Sequence, residues 1–205
     1  PQSGPSLVAG LARLLGESLG ALAAEMGPEG ADRCASALLQ AASRGGAGAE
    51  EAMEEAVAAL GQLARGSGKG LGPAAAATLQ LITGRWAQEG AAPRHLIPAM
   101  ARLALDLARC QRTVLGAAGM AAALDHTSLL LGQAWSWEAA ECEQLAGAVG
   151  DVARQAKKAF TGAEVEPART RLGLALLDSC LFRRCPPADA ALCQALWEVC
   201  NVRWA

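Results

Sequence analysis

The sequence predicts an all-α fold: eight or nine helices in an armadillo/HEAT-like helical array or an irregular helical bundle. Three observations predict it. Ala (49) and Leu (30), among the best helix formers, make up well over a third of the 205 residues. Val, Ile, Thr and the aromatics, the usual strand formers, number only 23, and Tyr is absent. Gly and Pro break the chain at regular distances, while Asn-Gly and Asp-Gly, the strongest hairpin signals, do not occur.

Each helix has its own local reason. Leu7, Leu11, Leu14, Leu15, Leu19 and Leu22 recur at helical spacing and predict a first helix over Ser6 to Met26. Gly27-Pro28 ends it, and Pro28 suits the first position of a second helix running to about Ser43. The third helix has Glu50, Glu51, Glu54 and Glu55 at its start and Arg65 at its end, both favoured by the helix dipole. Its buried stripe is Met53, Val57, Leu60 and Ala64. The Gly-rich stretch 66–72 reads as a flexible link, after which Pro73 opens a fourth helix to about Gln88.

A fifth helix is expected to begin near Pro98. Leu96, Met100, Leu103, Leu107, Cys110 and Val114 form a narrow apolar seam, with Arg102, Asp106 and Arg109 within ion-pair reach on the exposed side. Gly116 to Gly119 loosens the chain before a shorter helix over Met120 to Leu131. Ser136, between Trp135 and Trp137, caps a long helix ending near Phe160, and Gly162 stops it. Pro167 starts the next helix, Cys185-Pro186-Pro187 breaks it, and the last helix carries Leu192 to Trp204. Leu192, Leu196 and Val199 lie on one side of that helix, and Cys193, Trp197, Cys200 and Trp204 on another. An apolar surface of that width needs cover on more than one side.

Taken two at a time, the breaks are spaced by roughly 40–48 residues, as in HEAT or armadillo units. No consensus of either is legible, so no family is assigned. The length suits a single all-helical domain, 1–205. Without Met at position 1, the chain is expected to be a fragment of a larger protein or a processed product.

Composition also narrows the function classes. The net charge is −2, whereas a dedicated nucleic-acid binder carries a basic excess. No membrane span is expected. The longest apolar stretch, Thr113 to Leu124, is too short, and Asp125 and His126 end it. Seven Cys, an odd number at irregular spacing, fit reduced thiols in the cytoplasm or nucleus better than a disulfide framework.

No catalytic motif stands out. Gly68-Lys69 is followed by Gly70, and Leu63 stands where a phosphate loop needs its first Gly, so 66–72 reads as a link and no nucleotide is expected. Cys180, Cys185, Cys193 and Cys200 lack the close pairs of a zinc site and read as buried small hydrophobes. The two histidines, His95 at a helix junction and His126 in a polar break, read as surface or capping groups. The Glu50 to Glu55 cluster is explained by the dipole and by solvation. No cofactor or metal is expected.

That leaves contact. Trp and Arg dominate interface hot spots, and the candidates for partner binding are Trp135, Trp137, Trp197 and Trp204, with Arg183 and Arg184 at the rim. The alternative for all five tryptophans, Trp86 included, is that they fill the core of an otherwise Ala/Leu protein. The expected function is a non-catalytic scaffold or adaptor module that docks a partner helix or peptide in a groove between helices. Two alternatives stand beside it: an enzyme with a site assembled from scattered His, Cys and Asp, and a membrane-surface helical protein.

Overall fold

The computed structural model describes residues 18, 22, 25–43, 49–67, 71–85, 94–133, 139–155, 160–182 and 186–201. They are all-helical, with eight α-helices and no strand among them. In chain order these are α1 (Gly27–Ala42), α2 (Ala49–Gly66), α3 (Gly72–Gln80), α4 (Ile97–Cys110), α5 (Arg112–Gln133), α6 (Ala139–Gln155), α7 (Glu166–Phe182) and α8 (Pro186–Cys200). A π-turn, Leu81–Arg85, extends α3, and a 3-10 turn, Arg94–Leu96, precedes α4. The helix expected over Ser6 to Met26 lies almost wholly outside the described residues, as do 68–70 of the Gly-rich link.

The chain divides into two compact units, residues 1–114 and 115–205. In the first, α2 packs on α1 and α4, and α3 packs on the same two helices. The core is Leu38, Val57, Leu60, Leu63, Leu103 and Leu107, spaced by small Ala side chains that let the helices approach closely. The start of α3 is held by another helix: Ala74 N–H donates to Asp32 Oδ1 of α1 at 2.9 Å. This carboxylate satisfies one of the orphan donors at the helix start, where the sequence offers no local cap.

The seam expected along α4 is present and fades toward its end. Leu96, Met100, Leu103 and Leu107 are buried, Cys110 is half-buried and Val114 is exposed. The expected exposed face of α4 is a correction. Asp106 has no exposed surface, although it is paired as its spacing implied. Arg65, at the end of α2, reaches across to it, so the carboxylate is neutralised where it is buried.

In the second unit α8 packs on both α6 and α7, most extensively on α6, where Gly150 faces Ala195. Phe160, Leu145, Val149, Leu172, Leu176 and Leu192 fill its core. Gly162, at φ +127°, makes the turn between α6 and α7 that only glycine adopts without strain. Buried hydroxyls return to their own helices, Thr127 to the Ala123 carbonyl and Ser179 to that of Ala175.

Helix α5 contains the helix expected over Met120 to Leu131 and starts earlier, at Arg112, and Asp125 and His126 lie within it rather than in a polar break. Asp125 is carried by a two-pronged pair with Arg171 of α7, at 2.7 and 2.8 Å. Arg112–Gly132 is long and apolar enough to cross a membrane by length and composition, but 44% of that window is buried inside the protein. Gly116, at φ +62° and ψ −162°, also breaks the helical path. The helical run after it, 117–133, falls short of the ~20 residues a span requires.

Candidate functional site

Leu177 of α7 and Leu196 of α8 line one groove. Leu177 lies opposite Leu196 and Cys180 opposite Cys193, positions that advance along α7 as they retreat along α8, so the two helices run antiparallel. Their inner residues, Leu172, Leu176, Leu192, Ala195 and Val199, are buried. The next positions around each helix are left uncovered. Leu174, Leu177, Leu181 and Phe182 of α7 are exposed, as are Cys193, Cys200 and Trp197 of α8, Trp197 at 64%.

The groove has a volume of about 500 Å³. Its walls are Leu174 and Leu177 on one side and Leu196, Val199 and Cys200 on the other. Gly173 forms part of its floor, and a methyl group added there would meet nothing within 4 Å. One end is polar: Arg169 Nη2 pairs with Glu166 Oε1 at 3.1 Å and Nη1 donates to the Phe160 carbonyl at 3.5 Å. Arg169 is therefore neutralised and held by its own unit, which leaves an apolar groove with one fixed polar end.

Of the expected partner-binding residues, Trp197 is the one within the described residues. It is exposed on the face of α8 that carries Cys193 and Cys200. Trp135, Trp137, Arg183, Arg184 and Trp204 lie outside the described residues, as do Trp86 and Cys185. The reading of the C-terminal cysteines as buried hydrophobes is corrected: Cys193 and Cys200 are exposed and Cys180 is half-buried. The face of α8 that carries them was expected to be covered and is not. Sequence reasoning missed the leucines of α7. They appear as one Leu-rich run, Leu172 to Leu181, in which tertiary packing, that of α8 included, separates the inner residues from the outer.

The histidines divide. His95 is exposed as expected, with Nδ1 3.7 Å from Glu50 and Nε2 3.8 Å from Glu54. His126 is a correction. It is buried within α5, its Nδ1 has no hydrogen-bond partner among the described residues, and burial pushes its pKa down to about 4. It is a neutral core side chain at physiological pH. A smaller pocket of about 180 Å³ lies between α2 and α4, beside Arg65 and Arg102, and both of those guanidiniums are engaged by Asp106. Neither histidine lines either pocket.

No protein family, curated protein or solved structure matches the chain.

Proposed function

We propose that this chain is a non-catalytic protein-interaction module, a scaffold or adaptor element working in the cytoplasm or nucleus, and that its α7–α8 groove receives an amphipathic helix from a partner protein. The carrying observation is that Leu174 and Leu177 are left exposed in a groove with apolar walls, with Trp197 exposed on the adjoining face of α8. Contiguous exposed apolar surface is uncommon on a monomer and marks contact sites.

A helix suits the groove better than an extended strand. The walls are themselves two helices, and a third laid between them packs ridges into the groove they form. Gly173 leaves space for the incoming residue at the floor. Such a partner would present apolar residues at i, i+3 or i+4, and i+7. The polar end formed by Glu166 and Arg169 would set its direction.

Selection from a displayed library of helical peptides on the immobilised chain tests this reading. The parent is expected to enrich peptides with that apolar spacing. Gly173→Leu starts from a Cβ that meets nothing within 4 Å, projects into the groove and improves helix propensity, so it should stay folded and bind the selected peptides at least about tenfold more weakly, roughly 1.4 kcal/mol. A parent chain that enriches no helical peptide, or a Gly173→Leu chain that binds as well as the parent, would sink the proposal.

A further inference from the structure

The thiols of Cys180 on α7 and Cys193 on α8 face each other, Sγ to Sγ 4.0 Å apart. On antiparallel helices, facing positions advance along one helix as they retreat along the other. Leu177 and Leu196 line the groove together, and three residues further along α7 and three back along α8 stand Cys180 and Cys193. The thiol pair thus sits about one helical turn beyond the groove. Both cysteines are free, Cys193 exposed and Cys180 half-buried. We propose that Cys180 and Cys193 form a reversible redox modification site, oxidised to a disulfide between α7 and α8 by a low-molecular-weight disulfide of the glutathione type.

Bond formation requires the sulfurs to close from 4.0 Å to about 2.05 Å, roughly 1 Å of movement by each side chain. Cys200 does not compete for Cys193: two helical turns on the same helix separate them by about 10 Å.

The exchange balances with one molecule of oxidant. The Cys193 thiolate attacks one sulfur of glutathione disulfide and expels a glutathione thiolate, leaving a mixed disulfide. Cys180 then gives its proton to solvent, attacks Cys193 Sγ and expels the second glutathione thiolate. Two protein thiols lose two electrons, and glutathione disulfide becomes two glutathione molecules. Burial, the neighbouring Cys193 sulfur and Asp189 push the Cys180 thiol up to about 11. Cys193 is the exposed member of the pair and open to the oxidant, so it makes the first attack. The consequence for binding rests on the docking reading: the bridge holds the two walls at a set spacing near the Leu177–Leu196 end, so oxidation alters the fit of a bound helix. Formation of the bridge does not depend on that reading.

The test incubates the full chain with glutathione disulfide, blocks remaining thiols and maps tryptic peptides by mass. Cleavage at Arg183 and Arg184 separates the Cys180 peptide from the one holding Cys193. The Cys185→Ser/Cys200→Ser variant leaves Cys193 as the only cysteine of the second peptide. The expected product is that peptide pair joined, lighter by two hydrogens and separated again by dithiothreitol. Cys180→Ser should stop with glutathione on Cys193. A stable mixed disulfide on Cys193 of the parent, a parent bridge through Cys185 or Cys200 in place of Cys193, or no reaction would overturn the proposal. Bridge formation in a chain that selects no helical peptide would leave the redox site standing and remove only the docking reading.

Discussion

Asp106 Oδ2 lies 2.6 Å from Arg65 Nη1, which ties α4 to α2 through a carboxylate with no solvent exposure. Arg102 approaches the same oxygen at 3.2 Å and Arg109 the other at 3.3 Å. A buried charge persists only when it is paired, and removing one side of such a pair costs about 3–5 kcal/mol. The three guanidiniums are partly solvated, so Asp106→Ala is expected near the lower end, about 3 kcal/mol, measured as a shift in urea unfolding at unchanged slope. A loss below about 1 kcal/mol would mean that solvent already carries the three arginines.

Gln111 ties the end of α2 to the start of α3. Its Oε1 accepts from Leu71 N–H at 3.2 Å, and its Nε2 donates to the Ala64 carbonyl at 3.4 Å and to Ser67 Oγ at 3.3 Å. The side chain is fully buried, so water cannot replace it. Gln111→Leu is nearly equal in volume but leaves the Leu71 N–H without that acceptor. It should cost about 1–3 kcal/mol and raise amide exchange at Leu71 before it affects the second unit. Unchanged exchange at Leu71 would remove the tie.

His126 makes stability depend on pH in one direction. Its pKa falls from an ordinary 6.5 to about 4 because burial disfavours the charged ring. The unfolded chain takes up a proton near pH 6.5 and the folded chain does not until about pH 4. The stabilisation is therefore complete above pH 6.5 and is lost as pH falls toward 4, on the order of 3 kcal/mol in all. His126→Phe should lose less stability than the parent over that window, and parallel pH curves for the two would refute the assignment.

Gly116 and Gly147 have opposite roles and should respond oppositely to Ala. At Gly116 there is open space for a methyl group, but φ +62° with ψ −162° is a conformation almost confined to glycine. Gly116→Ala is expected to cost about 1–3 kcal/mol through backbone strain. Gly147, exposed in the middle of α6, also has open space but no such backbone, and Gly147→Ala should gain about 0.5–1 kcal/mol. The order of the two urea midpoints checks both.

The helices were legible because their causes are local. Pro28, Pro73 and Pro98 stand at helix starts, the glutamates head α2, and Gly162 turns the chain, much as their sequence neighbourhoods imply. The buried polar groups were not legible. The spacing of Arg102, Asp106 and Arg109 shows an ion cluster, but the burial of Asp106 comes with the packing of α2 on α4, which also brings in Arg65, 41 residues away. Asp125 and His126 look like a break because both are polar. One is carried by Arg171, 46 residues on, and the other is buried in its neutral form.

Propensity, capping and dipole terms act within a few residues, and they account for the helical character of the chain and for the positions of most helix ends. Which apolar residues are covered follows from packing between distant segments. Helical spacing puts Leu172 and Leu174, or Val199 and Cys200, on different faces but does not say which face is covered; the first of each pair is buried and the second exposed. Hydrophobic burial depends on what lies opposite, and that is set by how distant helices pack.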